Sequence, residues 1–194
     1  MIPYNPSYTH AKIFADKMFE RFGLTAKDKS DVPFMRVVAR FLDTIGVMDK
    51  QTFLDNYTTT IGSRVYLNFE PGSDVLKPES QIALVAHECQ HKHQMDTGHG
   101  MYSVKYLLFP KCRARFEADA LSTTMEVYYA CTQKHLDPHK LATSLKSYAL
   151  SDDLIRGVEI KLCETRGRLC DEIFTTYAGK TAINILGICK VRPR

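Results

Sequence analysis

The sequence predicts an α+β protein that is α-rich and holds a small sheet. Apolar residues recur at helical spacing through most of the 194-residue chain, whereas residues 63–69 alternate polar and apolar side chains as a half-buried strand does. The composition, 44% hydrophobic and 25% charged, suffices for one sizeable core. We therefore expect a single domain over residues 1–194, with its core at about 52–135 and helical additions at 7–46 and 137–194.

The N-terminal part is predicted to hold two helices. Ser7 is a favourable N-cap for a first helix, because its hydroxyl can accept a hydrogen bond from the first turn, and Gly23 is a favourable end. A second helix, capped by Ser30 or Asp31, follows a loop at residues 27–29.

A β-hairpin is expected next. Residues 52–60 are rich in Thr and Tyr, which favour strands, and residues 63–69 form the alternating segment. Ile61-Gly62-Ser63 between them would make the turn.

The next predicted helix, from about Pro78 to Gln94, contains a metal-binding pattern. Proline suits the first turn of a helix, and the apolar residues 82–86 fit a buried face. The second half of the helix reads H-E-C-Q-H at residues 87–91. Cys89 points away from both histidines and is predicted to pack in the core.

A second long helix, from about Arg113 to Gln133, is predicted to lie against the first. The small side chains of Ala118 and Ala120 would allow the two helices to approach closely. Glu117, directly before Ala118 on the second helix, would then reach the histidines of the first helix.

The C-terminal region is predicted to add two helices and a tail. Asp137 and Pro138 suit the start of one helix, and Ser151 or Asp152 that of the next. The second of these helices has an apolar stripe that we expect to be core: Leu154, Ile155, Val158, Leu162, Leu169 and Ile173. The tail, residues 182–194, would pack as a strand or helix or contact a partner.

The H-E-x-x-H spacing places two imidazoles on one helix face. His87 and His91, four residues apart, can therefore bind one Zn²⁺ together. Glu88 lies about 100° round the helix from His87, within reach of a water in an open coordination position. Metal, water and carboxylate are what metal-assisted hydrolysis of an amide needs.

A third zinc ligand is not supplied by the usual extension of this motif. That extension would place Gly at 94 and His at 97, where this chain has Gln94 and Thr97. His93 and His99 are close in sequence, but neither has the standard spacing. Glu117 on the following helix is the better candidate, since a catalytic zinc usually has three protein ligands.

The H-E-x-x-H motif followed by F-E-A-D at residues 116–119 resembles the gluzincin-type metallopeptidases, in particular small minigluzincin-like domains. The resemblance implies a minimal zincin-like core of a small sheet, the H-E-x-x-H helix and a glutamate helix. It also implies a zinc-dependent peptidase in which His87, His91 and Glu117 bind Zn²⁺ and Glu88 is the general base.

The chain differs from this family at one position near the third ligand. Many members have a glutamate four residues before the aspartate, and Arg115 stands there in this chain. Asp119 is therefore the alternative third ligand. If it is not a ligand, Asp119 or Arg115 would orient a histidine or the substrate.

Other parts of a peptidase site are predicted less specifically. Tyr102, Tyr106, Arg113 and His99 lie between the two metal-binding helices in sequence and are candidate donors to the tetrahedral oxyanion. The strand at 63–69 is a candidate to pair with an extended peptide substrate.

The composition argues against several other classes. The net charge of +4 is mild and the basic residues are scattered, so no nucleic-acid partner is expected. No apolar run is long enough for a membrane span, and no signal peptide is visible, so a cytoplasmic location is expected. The six cysteines lack C-x-x-C spacing and are predicted to be reduced thiols.

Two other functions fit the same residues. One is a catalytically silent zincin-like protein with a structural or interaction role in a larger assembly such as a phage particle, which would place it in the virion. The other is a hydrolase of cell-wall amides. The presence of Glu88 favours an enzyme over the silent protein, because a pseudoenzyme usually loses this residue.

Overall fold

The computed structural model describes residues 5–28, 58–98 and 100–187. This part of the chain has an α+β, helix-rich fold, as predicted. Its helices are α1 (Tyr8–Phe22), α2 (Pro78–Thr97), α3 (Tyr102–Leu108), α4 (Pro110–Thr132), α5 (Pro138–Ser144), α6 (Asp152–Cys170) and α7 (Tyr177–Ile185), with a 3₁₀ turn at Leu145–Tyr148. Its strands are β1 (Thr25–Asp28), β2 (Thr59–Ile61) and β3 (Arg64–Leu67).

Helix α1 begins and ends where the sequence predicts. The Ser7 hydroxyl accepts a hydrogen bond from the His10 N–H at 3.3 Å, and His10 Nδ1 accepts one from the Ser7 N–H at 3.1 Å. Gly23 ends the helix at φ 61°, a left-handed conformation that favours glycine. The helix predicted after Ser30 or Asp31 lies outside the described residues.

The prediction of a loop at residues 27–29 is wrong for Lys27 and Asp28, which belong to a strand. Strand β1 includes Lys27 and Asp28 and pairs in parallel with β3. Among the described strands β1 is at one edge of the sheet, where the Lys27 side chain is exposed. Charged residues are therefore compatible with this strand, because an edge strand can direct them into solvent.

The predicted hairpin is confirmed for the described residues; positions 52–57 of its predicted first strand lie outside them. Strands β2 and β3 are antiparallel, with Thr60 opposite Val65, and Gly62 in the turn has φ 60°. The strand order is β1-β3-β2, so β3 is paired on both sides. The prediction that β3 pairs with a substrate is therefore wrong; within the described sheet, β2 is the edge strand next to α2.

Helices α2 and α4 pack against each other at the centre of the fold. Helix α2 continues to Thr97, one turn beyond the prediction, and α4 begins at Pro110 instead of Arg113. Pro110 fits the start of α4, because proline at the first position of a helix loses no intrahelical hydrogen bond. Cys89 is fully buried in the core, as predicted.

The C-terminal helices follow the predicted caps. Asp137 Oδ1 accepts a hydrogen bond from the His139 N–H at 3.0 Å, and α6 begins after Ser151. Of the predicted apolar stripe, Ile155, Val158, Leu162 and Leu169 are buried and Leu154 is partly buried. The prediction is wrong for Ile173, because α6 ends at Cys170 and the Ile173 side chain is 45% exposed.

Helix α7 is attached to α2 and α4 through its N-terminus. The buried Glu126 carboxylate accepts hydrogen bonds from the backbone N–H groups and hydroxyls of Thr175 and Thr176. Gln90 Oε1 accepts one from the Ala178 N–H at 3.1 Å. The first residues of the predicted tail, 182–185, belong to this helix. None of the helices in the described ranges is long and apolar enough to cross a membrane.

The close approach of Gly179 to Glu126 gives a test of this packing. In Gly179→Ala, the added Cβ would meet Glu126 Oε2 and Thr176 Oγ1 inside van der Waals contact. We expect the free energy of unfolding to fall by about 1–3 kcal/mol, as for other overpacked sites. Urea denaturation measures this change.

Gly157→Ala is the matched control, because nothing lies within 4 Å of its added Cβ in the middle of α6. This change should stabilise the protein by about 1 kcal/mol, the difference in helix propensity. Equal stability of the two variants would contradict the described contact between α4 and α7.

Candidate metal centre

The two histidines of the H-E-x-x-H motif face each other on α2. Their Nε2 atoms are 3.1 Å apart, and their rings lie edge to face with centroids 4.8 Å apart. Two nitrogens bound to one tetrahedral zinc, at about 2.0–2.1 Å each, would be separated by about 3.3 Å. The spacing of His87 and His91 is therefore suited to a shared ion.

Helix α4 brings Glu117 to these nitrogens. Its Oε2 lies 3.8 Å from His87 Nε2 and its Oε1 lies 3.6 Å from His91 Nε2, and the side chain is only 2% exposed. Among the described residues, these three form the group of His, Cys, Asp and Glu that could hold a metal ion. Two imidazoles and a carboxylate fit Zn²⁺ with one position left open.

Asp119, the alternative third ligand, faces elsewhere. Its Oδ1 accepts a hydrogen bond from the Lys161 ammonium on α6, and its Oδ2 lies 3.5 Å from Gln94 Nε2. Asp119 therefore contacts Gln94, and Gln94 in turn contacts His91. Arg115, two residues before Glu117, is exposed.

The hydrogen bonds of His87 leave its Nε2 free to bind a cation. Its Nδ1 is 3.1 Å from Thr124 Oγ1, and that hydroxyl donates to the Ala120 carbonyl at 3.2 Å. The Thr124 oxygen thus accepts from Nδ1–H, so Nε2 carries a lone pair. Burial, together with nearby His91, lowers the pKa of His87 to about 4 against the opposing effect of Glu117. His87 is therefore neutral at neutral pH.

The side chain of Gln94 holds Nδ1 of His91, as Thr124 holds Nδ1 of His87. Its Nε2 donates to the Phe116 carbonyl at 3.0 Å, which orients the amide because a carbonyl can only accept. Its Oε1, 3.0 Å from His91 Nδ1, must then accept from Nδ1–H. Nδ1 of His91 is therefore occupied, and its Nε2 is the ring nitrogen directed towards His87.

Helix α3 places two phenols on the candidate ligands. Tyr102 Oη is 3.0 Å from His91 Nδ1, and the Tyr106 hydroxyl donates to Glu117 Oε1. Burial, and next the charge of Glu117, raises the pKa of both phenols well above the usual range, so both remain protonated. The sequence predicted them as oxyanion donors, whereas the structure places both hydroxyls against candidate metal ligands.

Of the other two predicted oxyanion donors, Arg113 is engaged with backbone carbonyl groups. The buried Arg113 guanidinium donates to the carbonyls of Tyr106 and Leu107 at 2.9 and 3.1 Å, and to that of Tyr148 at 3.1 Å. It therefore joins α3 and the 3₁₀ turn to α4. His99 lies outside the described residues.

Glu88 lies on the same helix as the two histidines, and its buried carboxylate is held by hydrogen bonds from the side of strand β2. Its Oε1 accepts a hydrogen bond from the Thr58 hydroxyl, and its Oε2 accepts one from the Thr60 hydroxyl at 2.8 Å. These two threonines were missed in the sequence. Their two-residue spacing in a Thr-rich segment is the available signal, because it places both on one face of a strand.

Comparisons with protein-family models, with curated proteins and with solved structures found no match for this chain. The candidate metal centre is therefore supported by the geometry of the chain itself.

The matched amide variants Glu117→Gln and Asp119→Asn separate the two candidate third ligands. We expect about one zinc per wild-type chain. In Glu117→Gln the zinc affinity should fall by more than about 100-fold, because the loss of a residue that only supports a ligand typically lowers metal affinity by about 10–100-fold. Asp119→Asn should stay within about 10-fold of wild type. Elemental mass spectrometry after dialysis against a zinc buffer series measures both.

The assignment of Glu117 would be wrong if Asp119→Asn lost zinc and Glu117→Gln kept it. Each variant removes one negative charge without changing the shape of the side chain, so the comparison depends on position alone.

Proposed function

We propose that this chain is a zinc-dependent metallopeptidase of the gluzincin type that cleaves a peptide or protein substrate. The supporting observation is the convergence of His87, His91 and Glu117, whose ligand atoms all lie within 4.8 Å of one another. Glu88 follows His87 directly in the H-E-x-x-H motif. A bound Zn²⁺ polarises the scissile carbonyl and activates a water for attack.

The residues of the chain have separate roles in this proposal. His87, His91 and Glu117 hold the cation, and Thr124 and Gln94 keep each imidazole in the tautomer that presents Nε2. Because these partners occupy Nδ1 of each imidazole, Nε2 is the nitrogen that would bind the ion.

Glu88 acts as the general base. It takes a proton from the attacking water as the oxygen–carbon bond forms, and it gives that proton to the amine nitrogen as the carbon–nitrogen bond breaks. Thr58 and Thr60 orient the carboxylate through one hydrogen bond to each oxygen. An extended substrate would align with β2, the described edge strand beside α2.

One observation favours a second candidate function, a metal-binding protein without turnover in a larger assembly. Both oxygens of Glu88 already accept a threonine hydroxyl, and the residue is only 2% exposed. A general base must reach a water within hydrogen-bonding distance. If both threonine contacts persist in the metal-loaded protein, the carboxylate is structural.

Glu88→Gln separates these two functions. The variant should bind zinc as the wild type does, since Glu88 is not a ligand, but its hydrolysis rate should fall by about 10²–10⁴-fold through loss of the general base. Mass spectrometry of a peptide library, incubated with zinc-loaded protein, measures the cleavage.

Glu79→Gln, on the first turn of the same helix, is the control and should cleave as fast as the wild type. Cleavage by Glu88→Gln at the wild-type rate would refute the mechanism. Full zinc binding by a wild-type protein that cleaves nothing in the library would support the second candidate.

A further inference from the structure

The short helix α3 contacts the candidate ligand Glu117 in a way that the proposed catalytic steps do not use. Tyr106, in the middle of this helix, donates a hydrogen bond to Glu117 Oε1. The ring of Tyr106 also meets the ring of His91 edge to face, with centroids 6.3 Å apart. Tyr106 therefore contacts two of the three candidate ligands, Glu117 through its hydroxyl and His91 through its ring.

The position of Glu117 makes both of its oxygens available to a cation. Oε1 is 3.6 Å from one histidine nitrogen and Oε2 is 3.8 Å from the other, so the carboxylate lies almost symmetrically across the pair. A carboxylate that binds through both oxygens fills two coordination positions. In a site with two histidines, this would leave less room for water and substrate.

The Tyr106 hydroxyl makes the two oxygens unequal. A hydrogen bond from a neutral donor takes up electron density on the oxygen that accepts it, and Oε1 is that oxygen. Apart from the Tyr106 hydroxyl on Oε1, the described polar contacts of Glu117 are those to the two histidines. Oε2 therefore keeps its full donor strength.

We propose that Tyr106 is a positioning residue that restricts Glu117 to one coordinating oxygen, Oε2, and so keeps a coordination position open. This role rests on the metal centre proposed above, but not on peptidase activity.

Tyr102 supplies a matched comparison on the same helix. Its hydroxyl is 3.0 Å from His91 Nδ1, but Gln94 Oε1 accepts from that nitrogen at the same distance. Removal of the Tyr102 hydroxyl therefore leaves His91 with an acceptor and Glu117 with its donor. Tyr102→Phe and Tyr106→Phe are the same chemical change at two phenols one helical turn apart.

The visible absorption of the cobalt-substituted protein tests the proposal. Four-coordinate Co²⁺ absorbs strongly and five-coordinate Co²⁺ weakly, so intensity per bound cobalt reports coordination number. We expect strong bands in wild type and Tyr102→Phe, and a loss of intensity in Tyr106→Phe as the second oxygen binds. Zinc affinity of Tyr106→Phe should stay at or above that of wild type, because a ligand atom is gained.

Two results would overturn this role. One is a Tyr106→Phe spectrum as intense as that of the wild type. The other is a 10–100-fold loss of zinc affinity in Tyr106→Phe with intense bands, the behaviour of a residue that merely supports a ligand. A wild type that binds no cobalt would refute the metal centre itself, and with it this role. Absence of peptide cleavage would refute only the peptidase proposal, because neither readout uses activity.

Discussion

The packing of α2 against α4 is the constraint on which the candidate site depends, because it buries the Glu117 carboxylate between two imidazoles. A buried carboxylate is costly unless a positive charge or several donors compensate it. His87 has a pKa lowered to about 4 and supplies no positive charge at neutral pH. In the described structure one phenol, that of Tyr106, donates to Glu117. The two carboxylate oxygens lie 3.6 and 3.8 Å from the imidazole Nε2 atoms, where one divalent cation would add compensating positive charge. This convergence is the physical reason to regard the three residues as a candidate metal centre.

Each candidate ligand has a polar side-chain partner, from its own helix or from a neighbouring one. Thr124 on α4 serves His87, Gln94 on α2 serves His91, and α3 serves Glu117. These contacts fix tautomers and orientations before any ion arrives, so less conformational freedom is lost on binding. The position of α3 in turn depends on the buried guanidinium of Arg113, which joins its carbonyl groups to α4.

The features that sequence reasoning predicted correctly are local. The caps at Ser7 and Asp137 depend on residues two or three positions away, and the helix face of the H-E-x-x-H motif follows from a four-residue spacing. Strand β1 was missed because its pairing is non-local: Thr25 lies opposite Arg64, and nothing near Thr25 in sequence indicates that partner. For the same reason the threonine contacts of Glu88 and the phenol contacts of the ligands were not predictable, since they join separate elements.

X-ray absorption spectroscopy at the zinc edge of the wild-type protein tests the central claim most directly, because it counts the atoms bound to the metal and identifies imidazole. We predict two imidazole nitrogens from His87 and His91, oxygen from Glu117 and from solvent, and no sulfur. A shell that contains sulfur, or a single imidazole, would place the metal elsewhere in the chain. A protein that binds no zinc at all would contradict the metal centre outright.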